Sequence, residues 1–570
     1  MQTRYTTMTK KILLILMNLI AGLSLFSQNI DKNVIVVMPY DPVISDAYKI
    51  NVIPVFNDSI SGSPKFDYSI QPNKLNSSFN PRPINPAKLT QDEQPKLYNN
   101  YIKIGMGTYT SPLAEINVNN LRSKNTILGF YAKSESSFSD IKLEDYQKKN
   151  ASYSDDIAQG YGKYIMKAIT ISGDAGVKYN MVNYYGYNTA LPDSFKDNTK
   201  QCFLLMNGKV KVESNINDSN KLRYVVNAKY DYFTDLYRTK VFFDDYEKGF
   251  NINGAFNKKV NKYEFSLSTG LMSYGKSSSF DSVKNTIFVF NPSFSFHDSL
   301  FKILLGINTA TEINPKKDTF YIYPCVNIQF IRFKEVFIPY IGMDGNLEAN
   351  TFQKIATENP FIMPLLNVQN TNHQIILFAG LKGSLTRKIE YNIKVSYSAI
   401  SNQYFFINDP SNRFVFGKDS TNKSNNQFVV VYDNIKIVNY LVELSYFALP
   451  KLYFYFKGNY NQFTMDKELE PWEMPTLTMD LQARYNLRNK IIIKGDITYI
   501  SDRYAKSFTN PLGYNKLSSV TDGNLSVEYR KTKELSFFIN LNNIAASTYY
   551  QWNQYPTHRF QLVAGLTYSL

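Results

Sequence analysis

The stretch LTMDLQARYN, Leu477 to Asn486, sorts its residues by parity. Leu477, Met479, Leu481, Ala483 and Tyr485 fall on one side of an extended chain, and Thr478, Asp480, Gln482, Arg484 and Asn486 on the other. Successive strand side chains point to opposite faces, so one face is apolar and the other polar and charged. The pattern returns nearby. Ile491, Ile493, Gly495, Ile497 and Tyr499 oppose Ile492, Lys494, Asp496 and Thr498, and Tyr391–Ala399 and Phe250–Phe256 alternate in the same way. A sheet with one solvated face also alternates. It does not explain segments of near ten residues recurring over more than 450 residues. A membrane-crossing strand needs about 9–11 residues. Beyond the N-terminal segment there is no apolar run of 18 residues, so spanning helices are excluded. A non-helical chain satisfies its backbone in lipid only by closing into a barrel. The expected fold is all-β, a transmembrane antiparallel β-barrel over residues 99–570. The strand passes number about 22, within a range of about 16–24 given the weak signal per strand.

Composition agrees. The chain of 570 residues carries 44 Tyr and 40 Phe, yet its mean hydropathy is only −0.31. That combination follows when half of each strand meets lipid and half meets water. Two cysteines, Cys202 and Cys325, are too few for a disulfide scaffold. The net charge of +15 is distributed over turns rather than gathered in one domain. Lipid headgroups are therefore the expected partner, and nucleic acid is not.

Connections alternate in length. Short basic turns occur at LRSKN (from Leu121), NKKVNK (Asn257), RFKE (Arg332), LTRK (Leu385), LRNK (Leu487) and RKTK (Arg530). Between them lie longer connections, Ser134–Asp156, Tyr185–Lys200, Thr351–His373, Asn408–Asn426 and Ser501–Lys516. The chain ends in mid-strand, HRFQLVAGLTYSL, with Phe560, Leu562, Ala564, Leu566, Tyr568 and Leu570 on one face. This ending resembles the assembly signal of bacterial outer-membrane barrels, which usually closes on an aromatic residue where Leu570 stands here. Counting back from a periplasmic C-terminus puts the basic turns in the periplasm and the long loops outside the cell.

At the other end, Lys10 and Lys11 precede the apolar run Ile12–Phe26 and then Ser27-Gln28, the form of a secretory signal peptide. Cleavage is expected near Ser27, which gives a signal peptide at 1–27 and an outer-membrane destination. Residues 28–98 are rich in Pro, Asn and Ser and lack alternation. They are expected to form a short irregular segment, periplasmic or inserted in the lumen. Within it Val34, Ile35, Val36 and Val37 make a compact β-forming run that ends at Met38-Pro39. Such a run suits pairing with a partner's sheet, or packing within this protein itself.

The VIVVM run, the YDPVISDAYKIN stretch behind it and the aromatic barrel resemble Bacteroidetes outer-membrane β-barrel proteins of the TonB-dependent receptor kind. Asp31 with Val34–Val37 is similar to a TonB box. The resemblance implies a periplasmic energy-coupling partner and a globular plug of well over a hundred residues. Only about 70 residues precede the first strand, so the plug is expected to be short or missing.

Catalytic chemistry finds no footing. His297, His373 and His558 are the three histidines. Asp298 and Ser299, beside His297, point to alternating faces and do not converge on it. His373 and His558 flank long loops and read as solvated. No His/Cys cluster, phosphate-cradling Gly loop or Ca²⁺ loop is present, so no enzyme, cofactor or metal is expected. Lys394, Lys457, Asp480, Arg484, Lys494 and Asp496 are candidate lumen charges, whether they select anions or hold the barrel's shape. Tyr184, Tyr185, Tyr404, Tyr550 and Trp552 in the long loops are candidate exposed aromatics, either ligand contacts or an interfacial girdle. Two functions follow: a porin-like or TonB-receptor-like channel for a small solute, or a non-transporting barrel that scaffolds a surface or secretion complex.

Overall fold

In the computed structural model, strand follows strand around a single closed ring. The structure describes residues 100–570, apart from 121–122, 124, 144–147, 187–199, 216–220, 237–245, 278–281, 316, 332–334, 364–365, 367, 411–425 and 450. The signal peptide, the 28–98 segment and the Val34–Val37 run lie outside the described residues.

Twenty-two antiparallel strands form one sheet, from Tyr101–Gly107 to Gln561–Ser569. These two pair with each other from Tyr101 opposite Ser569 to Gly107 opposite Val563, which closes the ring. Closure leaves the sheet without a free edge strand. Both the first and the last strand therefore have two neighbours, and the mid-strand ending of the chain is a paired one.

Parity sets the two faces. Leu481 and Ile497 are 43% and 52% exposed on the outer wall. Ile393, Val395 and Tyr397 are exposed outside, while Asn392 and Ser396 between them are buried inside. Tyr164, Tyr263, Tyr529 and Tyr568 stand exposed near one rim of the outer wall. The aromatic belt expected of a membrane barrel is thus built from strand residues.

The two rims differ. One holds Asn100 and Leu570, joined by a bond from the Leu570 N–H to the Asn100 carbonyl at 2.7 Å. The described basic turns, at Asn257, Leu385, Leu487 and Arg530, lie at this rim. Tight reversals there use left-handed residues, such as Asn261 (φ 56°) and Arg488-Asn489 (φ 51° and 56°). The described parts of the long connections, Thr351–His373 and Ser501–Lys516 among them, lie at the opposite rim, the loop end. Strands continue past the wall on that side. Ile389–Asn408 runs 20 residues and Phe428–Leu449 runs 22, about twice what a membrane crossing requires. A bulge between Ile400 and Gln403 marks the departure, with Asn402 at φ 56°, a conformation Asn adopts more readily than most residues.

Proline also leaves a mark. Pro292 has no N–H to give, and the ladder to Phe301–Ile313 lapses between Val289/Ala310 and Ser293/Gly306. Side chains fill the gap: the Thr309 N–H donates to Asn291 Oδ1 at 2.9 Å, and the Thr309 hydroxyl donates to the Phe290 carbonyl at 2.7 Å.

Candidate functional site: a charged lumen under a packed cap

Lys394, Lys457, Asp480, Arg484, Lys494 and Asp496 all occupy inward positions, since their neighbours Ile393, Leu481 and Ile497 face out. They form rows across adjacent strands. Glu443, Lys457 and Asp480 stand in direct register on three consecutive strands, so each acid has the lysine beside it. Glu443 also accepts from Asn392 Nδ2 at 2.9 Å and from the Tyr455 hydroxyl at 3.2 Å. Asp480 accepts from the Thr498 hydroxyl at 2.8 Å, and Asp496 from Asn524 Nδ2 at 2.7 Å. Arg484 and Lys494 are register partners of like sign. The lumen wall is a polar network with charges of both signs and a local basic spot.

The loop aromatics behave differently from the exposed contacts or girdle expected of them. Tyr184 is 1% exposed and Trp552 is 2% exposed. They belong to a buried apolar cluster with Val182, Phe203, Phe233, Phe352, Ile355, Phe361, Ile362, Phe406, Phe428 and Tyr555. Val182, Phe203 and Phe233 come from the fifth, sixth and seventh strands of the ring; Phe406 and Phe428 come from the fifteenth and sixteenth. Ten strands apart in a ring of 22, these are opposite walls. The cluster therefore spans the mouth.

Two loops bridge the span. The first carries the helix Phe352–Glu358, whose N-cap Thr351 hydroxyl accepts the Lys354 N–H at 3.1 Å. Its first N–H groups, those of Phe352 and Gln353, donate to the Glu247 carboxylate on the wall at 2.7 and 3.1 Å. The chain then lies along the far wall: the Phe428 N–H donates to the Phe361 carbonyl at 3.0 Å and the Met363 N–H to the Phe428 carbonyl at 2.8 Å. The second bridge is the hairpin of Tyr550–Trp552 and Tyr555–Pro556. Tyr555 stacks on Phe361 with centroids 3.7 Å apart, and its hydroxyl donates to the Asn426 carbonyl at 2.5 Å. The Tyr184 hydroxyl donates to the Ile362 carbonyl at 3.3 Å, and the Tyr185 hydroxyl to the Pro556 carbonyl at 2.9 Å. Tyr404 gives its hydroxyl to the Glu358 carboxylate at 2.5 Å. Tyr550 contributes backbone, its carbonyl accepting from Arg503. Rings that must avoid water and loops that can reach each other have no better place to bury apolar area than one another.

A latch joins the remaining loops to this core. Arg503 Nη1 lies 3.4 Å from Glu473 and donates to the Gln551 carbonyl at 2.8 Å, while the Asn553 N–H donates to Glu473 Oε1 at 3.0 Å. Burial pushes the Glu473 carboxyl up to about 7, against the opposing pull of Arg503 and the Asn553 N–H.

The histidines are not solvated loop residues. His373 Nε2 is 3.0 Å from the Glu348 carboxylate, which Lys354 also contacts at 2.5 Å. His558 stacks on the Tyr109 ring at 4.4 Å, and burial lowers its basicity. Among the described residues no group of three His, Cys, Asp or Glu side chains is placed to hold a metal ion.

Sequence parity singled out the six candidate lumen positions but not Glu443, Glu473 or Arg503. Glu443 sits at an inward position of an alternating strand and could have been found by the same count. Glu473 and Arg503 lie on different loops, and nothing in their spacing announces a pair.

No protein-family profile and no curated relative matches the chain. Solved structures do. The ferric-catecholate import receptor Fiu of Escherichia coli K12 superposes with a TM-score of 0.60 at 10% identity, over 83% of this chain and 82% of that one. The FrpB iron transporter of Neisseria meningitidis gives 0.63 at 8% identity, over 83% and 82%. The siderophore receptor PirA of Acinetobacter baumannii gives 0.62 at 9% identity, over 83% and 80%. The chain thus shares its barrel fold with these receptors and this transporter, and at such identities the likeness is one of fold alone.

Proposed function

We propose that this chain is an outer-membrane channel of the TonB-receptor-like kind, which admits a small solute and is held shut from outside by its own loops. The observation that carries this is the apolar core joining opposite walls above a charged lumen. A purely structural barrel has no need of a polar interior wide enough to be capped, whereas a gated pore needs both. The rim with Asn100 and Leu570 faces the periplasm in this reading, and the loop end faces outward. Iron or siderophore cargo belongs to the named neighbours; for this chain the solute class is small and polar, matching a wall with charges of both signs. If uptake were energised, coupling would act through Val34–Val37, pairing as an added strand with a periplasmic partner.

Planar-bilayer conductance tests the proposal. Full-length protein is compared with a variant in which 353–366 is replaced by a Gly/Ser linker, and with a form lacking Asn29–Leu97. Currents that grow when the cap, the N-terminal segment or both are removed support a gated channel. Silence in every form, with heat-modifiable migration intact, favours the non-transporting scaffold.

A further inference from the structure

The outer wall carries a feature that neither the cap nor the lumen uses. Close to the loop end, the strands Arg223–Asp235, Tyr246–Val260, Tyr263–Ser277 and Ser282–His297 are neighbours. In register, Tyr232, Lys248, Gly275 and Lys284 stand side by side and face out. The next row toward the middle reads Tyr230, Phe250, Ser273 and Thr286. Strands in a sheet are about 4.8 Å apart, so the two lysine Cα atoms are separated by about 10 Å across a glycine. With no side chain at Gly275, a groove of about 390 Å³ opens there, walled by Tyr230, Tyr246 and Phe250 and flanked by Lys248 and Lys284.

The charge is one-sided. Lys248 Nζ lies 4.7 Å from the Tyr246 ring centroid, and no acidic side chain occupies these outward rows among the described residues. Lys276, at the groove's border, turns inward, its Nζ 3.4 Å from the Leu366 carbonyl and 4.4 Å from the Phe352 ring. Below the groove the wall is apolar, with Ile252, Leu271, Phe288 and Phe290 exposed. Lys248 is the third residue of a 15-residue strand, longer than the about 9–11 residues a crossing needs. The pair therefore stands at the hydrocarbon edge, where headgroups lie.

We propose that this groove binds the phosphorylated headgroup of a membrane lipid in the leaflet at the loop end, with Lys248 and Lys284 on the phosphate and the lipid's tails along the apolar wall below. The inference goes beyond transport and holds whether or not the barrel conducts. Lone interfacial lysines reach toward water and hold anionic lipid diffusely. Two lysines across a glycine cleft between aromatic walls form one stoichiometric site.

Native mass spectrometry of the full chain in detergent tests it, with lipid A (a bisphosphorylated glycolipid) as the probe, phosphatidylcholine as the zwitterionic control and inorganic phosphate as the competitor. The expected result is a single retained lipid A that phosphatidylcholine does not replace and millimolar phosphate does not displace. Lys248→Gln/Lys284→Gln should weaken retention about thirtyfold, at roughly one order or less per lysine near a headgroup surface. Gly275→Leu, which fills the cleft while keeping both charges, should weaken it by a similar factor. Lys436→Gln, which removes an exposed lysine from the wall of Phe428–Leu449, should have no effect. Heat-modifiable migration confirms folding of each variant. Unchanged retention in the double variant or in Gly275→Leu overturns the site. So does equal loss with Lys436→Gln, which indicates diffuse attraction, or displacement by phosphate alone, which indicates a simple anion site.

Discussion

The two rims of this barrel solve the same problem, turning a strand back, by opposite means. At the rim with Asn100 and Leu570, reversals such as Asn261-Lys262, Arg387-Lys388 and Arg488–Lys490 take two or three polar and basic residues, and each of these is a local matter of backbone conformation. At the loop end, chain from opposite walls converges on Trp552, Tyr555, Phe361 and Phe428, none more than 6% exposed. One rim is determined residue by residue; the other only by contacts between residues hundreds of positions apart. Long loops with many rings are therefore a second hydrophobic core in a protein whose wall presents its apolar side chains to lipid.

The largest effect should come from breaking that core. Trp552→Ala removes a buried indole, a change that costs about 3–5 kcal/mol in a packed interior. Because the loss falls on the cap and not on the wall, limited proteolysis should open the loop end while heat-modifiable migration stays intact. Loss of migration would mean that cap and wall fold as one unit.

The wall is probed by Leu481→Arg, which places a charge in lipid at a cost of about 2–4 kcal/mol near the midplane and should impair assembly. Gln482→Arg, one residue away on the lumen face, should assemble normally. Equal behaviour of the two would reverse the assigned faces.

A smaller effect concerns the latch. Glu473 titrates near 7 in the folded cap against 4.5 for an ordinary glutamate, so the folded form binds the extra proton between those values. Its contribution is fully present below about 4.5 and is lost as pH rises through about 7. Protease resistance of the loop end should therefore fall from pH 5 to pH 8, and Glu473→Gln should flatten that slope. A slope unchanged by Glu473→Gln would assign it elsewhere, with Glu358 of the cap helix, whose carboxyl burial also pushes up, as the next group to test.

The smallest expected effect lies in the N-terminal segment. Val36→Pro removes a backbone donor while Val36→Thr retains it. On the sequence expectation of a short or missing plug, both should leave solute uptake nearly unchanged and Pro should at most lower abundance slightly. A clean uptake defect with Pro at normal protein level would establish energised coupling through Val34–Val37.

The amino-acid sequence by itself determined the wall: that it is β, that it closes, that it has about 22 strands, and which of Leu481 and Gln482 meets lipid. A parity of two is a local property, legible wherever ten residues alternate, and closure follows from backbone hydrogen bonding in lipid. What the tertiary structure decided was where the loop aromatics and histidines go. Tyr184 and Trp552 read as exposed because loops border water, and His558 read as solvated for the same reason. A ring's burial depends on what other chain can reach it. Tyr184 needs Ile362, Trp552 needs Phe406, and Arg503 needs both Glu473 and Gln551. Those partners are brought together by the circumference of the barrel, a distance that no stretch of sequence contains.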